Sequence, residues 1–183
     1  TMDLIDVMED PMDEVLFSSV IEACIRIGQL DLLSAKMRKY ASQGGLVALT
    51  APTYGSMIKA YGRARDVERI WDLWKEMGSR EVKPTAITTG CMVDALVMNG
   101  CVDGAWDLVN QVYNDESQRP SVNTVIYSTI LKGFAMSKQP EKLTQVYSEM
   151  KERNIPCNTI SYNTMLDAFG KCGAMDRVPQ LLE

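Results

Sequence analysis

Sliding the chain against itself brings it into register at an offset of 35 residues, and no other feature restricts its fold as strongly. Trp71 then falls on Trp106, Leu73 on Leu108, Met57 on Met92 and Ala60 on Ala95. Further along, Tyr127 falls on Tyr162, Thr129 on Thr164 and Phe134 on Phe169. Across the joins the offset widens to 37 (Ile21 to Ile58) and 38 (Ala95 to Gly133). The added residues fall between helical patterns, where insertions are tolerated.

Each unit reads as two short helices. In 124–158, Ile126, Ile130, Leu131 and Phe134 recur at helical spacing, a break follows at 137–140, and Pro140 suits the first turn of a helix. Leu143, Val146, Tyr147 and Met150 then mark the apolar face of the second helix, and Pro156 lies near the close of the unit. Unit 51–85 repeats the plan with Tyr54, Met57, Ile58 and Tyr61, then Val67, Ile70, Trp71, Trp74 and Met77, closing near Pro84. One such hairpin cannot bury its apolar face, whereas stacked copies can, so the pattern predicts an all-α solenoid with a concave and a convex face. The predicted units are a partial one at 1–13, then 14–50, 51–85, 86–123 and 124–158, and a truncated one at 159–183. Most Met, Trp and Tyr side chains are expected in the core.

Composition narrows the function classes. With 46% hydrophobic residues in 183 the chain can bury a substantial core, and no apolar run is long enough to span a membrane. It begins at Thr1 and stops inside a helical pattern, so it reads as the ordered part of a longer protein. The net charge of −5 is concentrated at the start, in Asp3, Asp6, Glu9, Asp10, Asp13 and Glu14. Setting those six apart from the 24 acids leaves 18 against 19 Lys and Arg, a neutral body that permits nucleic-acid binding without arguing for it. Five cysteines (Cys24, Cys91, Cys101, Cys157, Cys172) show no C-x-x-C spacing, and there is no histidine, so reduced, packed thiols are expected and no metal site. Without histidine, Ser–His, Cys–His and His-assisted metal chemistry are excluded within this segment.

The tetratricopeptide signature W-x₂-L-G-x₂-Y is missing. "APTYGSMIKAYGRARDVERIWDLWKEMGSREVKPT", "TVIYSTILKGFAMSKQPEKLTQVYSEMKERNIPCN" and "NTISYNTMLDAFGKCGAMDRVPQLLE" instead resemble pentatricopeptide repeats. Period, position of the break, Tyr/Phe placement and the closing "M…KP" segment agree together, over essentially the whole chain. The resemblance implies an organellar protein of mitochondria or chloroplasts that contacts single-stranded RNA along its concave face, one base per repeat. It would act in RNA stabilisation, processing or translation, with no cofactor and no chemistry of its own. Catalytic C-terminal domains occur in the family, and nothing in this segment supports one.

By register, the resemblance assigns base-reading positions in the first helix to Ser18, Gly55, Gly90, Ser128 and Asn163, and at the close of each repeat to Thr50, Thr85, Asn123 and Asn158. Ser128 with Asn158 looks like the family's adenine-preferring pair; Asn163 usually goes with pyrimidines. Val15, Pro52, Ile87, Val125 and Ile160 occupy the position that wedges between bases. Arg26, Arg63 and Lys171 occupy a phosphate-side position, where Met98 and Met136 depart from the basic pattern. Gly55 and Gly90 supply no edge-reading group, and each costs about 1 kcal/mol of helix propensity relative to Ala. Each assignment has a structural alternative. The wedge residues could pack between neighbouring helices, the basic ones could be solvated charges, and Ser128 and Asn163 could satisfy helix N-terminal N–H groups. A second function is consistent with the same features: a protein-binding scaffold, or a structural subunit of a large organellar complex such as a ribosome.

Overall fold

A computed structural model describes residues 49–179 together with 19, 23, 24 and 26–30. The predicted partial unit at 1–13 lies outside the described residues. Seven α-helices run in order: α1 Ala51–Arg63, α2 Val67–Ser79, α3 Ala86–Met98, α4 Val102–Asn114, α5 Thr124–Met136, α6 Pro140–Glu152 and α7 Thr159–Cys172. Short 3₁₀ turns follow α4 (Arg119–Ser121) and α7 (Met175–Arg177), and there is no strand among the described residues.

The odd-numbered helices end alike. A residue with positive φ follows each, one or two residues past the helix end: Arg65 (62°), Gly100 (77°), Lys138 (55°) and Gly173 (68°). The next amide reaches back to close the last turn, as Asp66 N to Tyr61 O (3.0 Å), Cys101 N to Leu96 O (2.9 Å), Gln139 N to Phe134 O (3.0 Å) and Ala174 N to Phe169 O (2.9 Å). This left-handed cap turns the chain into the second helix. Pro140 opens α6 in its first turn, where its missing N–H costs nothing.

The first helices form a continuous layer, α1 against α3, α3 against α5 and α5 against α7, while each of α2, α4 and α6 packs on the first helix of its own repeat. Together they make an α-solenoid with a core that continues from repeat to repeat. Tyr54, Met57, Ile58, Ile70, Leu73 and Met77 are buried in the first described hairpin, and Ile126, Ile130, Leu131, Phe134, Leu143, Val146, Tyr147 and Met150 in the third. The expectation that Met and Trp are core holds in part: Met98, Met136 and Met175 are exposed, and Trp71 and Trp74 are half-buried.

Two glycines explain how closely the layer packs. A Cβ on Gly62 would lie 2.7 Å from that of Ala95, so α1 and α3 cross where neither could carry more. Asn99 clamps the crossing, its Nδ2 donating to Gly62 O (2.9 Å) and Ala95 O (2.7 Å). A Cβ on Gly133 would lie 2.8 Å from Val102 Cγ1 and 3.0 Å from Val97 Cγ1. The recurring tyrosine is equally specific, since its ring is buried and its hydroxyl needs a partner. Tyr54 donates to Glu76 (3.2 Å), and Tyr127 accepts from Arg153 (2.6 Å) while its ring meets Trp106 edge-on at 5.8 Å. Burial, with the Glu76 carboxylate beside it, pushes Tyr54 up to about 12.

Candidate nucleic-acid interface

The first-helix layer carries a row of apolar side chains in solvent. Ile87 is 76% exposed, Val125 68% and Ile160 66%, each in the first turn of its helix. Pro52 is exposed at the corresponding place in α1. The alternative that these residues pack between helices is therefore overturned for the positions described. Burying each would gain about 1.5–3 kcal/mol, a gain the free chain leaves unrealised. Val15 and Ser18 lie outside the described residues.

Between Ile87 on α3 and Val125 on α5 lies a groove of about 470 Å³, lined also by Gly90, Cys91, Asp94 and Asn123. A smaller cleft of about 100 Å³ involves Arg63 and Met98, and Lys59 and Asp94 border both. The two glycines at the first-helix reading position differ. Gly90 opens onto free space, with nothing within 4 Å of where a Cβ would stand, so a side chain there would project into the groove. Gly55 is covered by α3, its Cβ position 3.7 Å from Cys91 Sγ and from Thr88 Cα. Burial pushes the Cys91 thiol up; Lys59 opposes that rise and Asp94 adds to it.

The closing residues cap the following helices. Thr85 accepts from Thr88 N (3.2 Å), Asn123 from Val125 N (3.0 Å) and Ile126 N (3.2 Å), and Asn158 from Ser161 N (2.8 Å). Thr50 makes no such bond to the backbone; its hydroxyl lies 3.0 Å from that of Thr53. The capping role considered for Ser128 and Asn163 is a misplacement, because both sit in the fifth position of their helices, past the free N–H groups. Asn158 and Asn123 carried the sequence signal for it, each being a polar residue directly before an apolar helical run. The half-buried Ser128 instead has its Oγ 2.9 Å from Ser161 Oγ, and Ser161 also approaches Asn158 Oδ1 through its own hydroxyl at 3.0 Å. Ser161 is fully buried, and its place in this chain of bonds was not foreseen from the sequence. Asn163 is exposed and makes no hydrogen bond among the described residues.

The basic positions are unequal. Arg26 and Arg63 are exposed, and Arg63 has no ion-pair partner among the described residues. Lys171 pairs with Asp167 at 2.6 Å on the same helix. That pair is exposed, so it stabilises by a few tenths of a kcal/mol and leaves the ammonium accessible to a stronger anion. Met98 (62% exposed) and Met136 (69%) stand in solvent at the equivalent places in α3 and α5. No helix among the described residues is long and apolar enough to cross a membrane.

The sequence matches the PPR repeat family over residues 50–98 and 122–177, with the PPR repeat matched again over 87–113. A pentatricopeptide repeat-containing protein of Arabidopsis thaliana is 26% identical over 172 residues, covering 90% of this chain and 29% of that protein. A second, named chloroplastic, is 24% identical and covers 90% of this chain and 21% of its own length. The Arabidopsis small ribosomal subunit protein mL103 is 22% identical over all of this chain and 43% of its length. The chain thus spans less than half of each of these relatives. Among solved structures, the pentatricopeptide repeat protein PPR10 from maize superposes with a TM-score of 0.77 at 15% identity, over 94% of this chain and 24% of that one. PPR10 in complex with an 18-nucleotide psaJ RNA element gives 0.67 at 23% identity, over 99% of this chain and 30% of that one. These likenesses establish the shared fold.

Proposed function

The chain belongs to the PPR repeat family, and from that premise we propose that its exposed first-helix face binds single-stranded RNA, one base between each pair of apolar wedges. The observation that carries the reading is the row Ile87, Val125 and Ile160, three large apolar side chains held in solvent at repeat spacing beside Asn123 and Asn158. Aliphatic side chains held in solvent can wedge against the apolar faces of bases, and the polar groups alongside meet their edges. Lys59, Arg63 and Lys171 would attract the backbone, and Ser128 with Asn158 would favour adenine. The role is binding without chemistry: masking, stabilising or remodelling a transcript. Relatives named chloroplastic or mitochondrial support an organellar setting.

A filter-binding titration with unstructured single-stranded RNA over a salt series tests this. The expected outcome is affinity that falls linearly in log–log form, by about 0.7 per phosphate neutralised. Absence of salt-dependent binding sinks it.

Met98 and Met136 favour a second reading. They place apolar surface where cations would meet phosphate, and one relative is a ribosomal protein, so this face could instead seat a protein in a large organellar assembly. A stable protein complex that forms without RNA and is lost in Met98→Lys/Met136→Lys would favour it.

A further inference from the structure

The hydrogen bonds where α5 meets α7 have a direction. The carbonyl oxygen of Asn158 can only accept, so Ser161 donates to it both its backbone N–H, at 2.8 Å, and its hydroxyl proton, at 3.0 Å. A hydroxyl has one proton. Ser128 Oγ lies 2.9 Å from Ser161 Oγ, and with the proton of Ser161 already committed, Ser128 must be the donor between them. Ser128 is then left with lone pairs and no proton to offer. Asn158, its Oδ1 occupied twice, is left with the two protons of Nδ2.

We infer that Ser161, fully buried and out of reach of any ligand, is the positioning residue that fixes the polarity of both reading groups in this repeat. The inference rests on the RNA-binding reading of this face. With Ser161 in place, an acceptor stands at Ser128 and a donor at Asn158. Adenine complements that pair, its N6 amino group donating to Ser128 and its N1 accepting from Asn158. Guanine reverses both, with O6 in place of the amino group and N1–H in place of N1.

The neighbouring junctions lack this relay. Thr88 gives its proton to Ala51 O at 3.0 Å, and the first-helix partner there is Gly55. Asn123 holds two backbone amides, the residue equivalent to Ser161 is Ile126, and the first-helix partner is Gly90. One repeat among those described thus carries a polarity set from behind.

Selection of single-stranded RNA from a randomised pool, by this chain and by Ser161→Ala and Ser161→Thr, tests the inference. Ser161→Ala keeps the backbone cap but frees the Ser128 proton to turn towards the base, admitting guanine. The expected result is adenine at one position for the parent and a roughly tenfold lower adenine-to-guanine ratio there for Ser161→Ala, with the other positions unchanged. Ser161→Thr restores the ratio. Ser161→Cys, similar in volume but a weaker donor, falls between and serves as the readout if Ser161→Ala melts. An adenine preference that Ser161→Ala and Ser161→Cys leave intact, but Ser128→Ala removes, overturns the relay. A parent chain that enriches no RNA overturns the RNA reading itself, and the inference with it.

Discussion

Two glycines in adjacent first helices should respond unequally to the same substitution. At Gly90, in the middle of α3, a Cβ meets nothing within 4 Å, so Gly90→Ala adds no contact and removes only backbone freedom from the unfolded chain. The gain is the helix-propensity difference, about 1 kcal/mol. At Gly133 the same Cβ arrives 2.8 Å from Val102 Cγ1, 3.0 Å from Val97 Cγ1 and 3.2 Å from Val102 Cγ2. Both neighbours are β-branched side chains in helices, with one strongly preferred rotamer, so they yield by moving backbone. Overpacking of this kind costs about 1–3 kcal/mol, and the propensity gain offsets about 1 of it. Gly133→Ala should therefore be neutral to about 2 kcal/mol destabilising, and the two variants should differ by about 1–3 kcal/mol. Urea unfolding followed by circular dichroism measures this as a displacement of midpoints at unchanged slope. Equal gains from both would refute the reasoning, because Val97 and Val102 would then be giving way freely. A loss at Gly90 would refute it from the other side, by showing that the groove is closed in the free chain.

Three further outcomes follow from the interface. Met98→Lys with Met136→Lys should steepen the logarithmic salt dependence of RNA binding by about 0.7 for each new phosphate contact, read by filter binding across a salt series. Asn158→Asp keeps the oxygen that accepts from Ser161 but exchanges the free amide for a second acceptor. Selected RNAs should then shift from adenine towards guanine at that position, and an unchanged preference counts against the reader assignment. The Cys91 thiol, raised by burial, holds less thiolate at a given pH than a free cysteine. Mass-spectrometric mapping of alkylation should show Cys91 labelling slowly at neutral pH, faster as pH rises past the ordinary thiol range, and more slowly again once RNA fills the groove.

The repeat, the position of the breaks and the buried aromatic rows were legible because they are periodic, and period is what a sequence displays directly. Pro140 announced its helix start for a local reason, its fixed φ and missing N–H. Tertiary facts were not legible. An apolar residue at the first turn looks the same whether a neighbouring helix covers it or water does, so the exposure of Ile87, Val125 and Ile160 needed the packed layer. Gly62, Gly90 and Gly133 are alike as letters; one is required by a neighbouring Ala, one faces open space and one is pressed by two valines. The caps were legible yet misassigned, since Asn123 and Asn158 stand directly before their helices and Ser128 and Asn163 four residues inside. Ser161 offered no signal, because a buried serine in a helix reads as filler until its partners are in view.

The caps carry a consequence for how such arrays can be cut and rejoined. Asn158 belongs by period to the unit before it, yet its orientation is held by the first turn of α7. A graft made at 158/159 would separate the residue from the helix that aims it and pair it with whatever third residue the incoming unit supplies. The segment from one hairpin turn to the next, Lys138 to Gly173, keeps the closing residue together with α7, while α6 within it still packs on α5 outside it. Recombining these arrays at the left-handed turns that follow the first helices, rather than at the borders the repeat suggests, would keep each closing residue with the backbone that orients it.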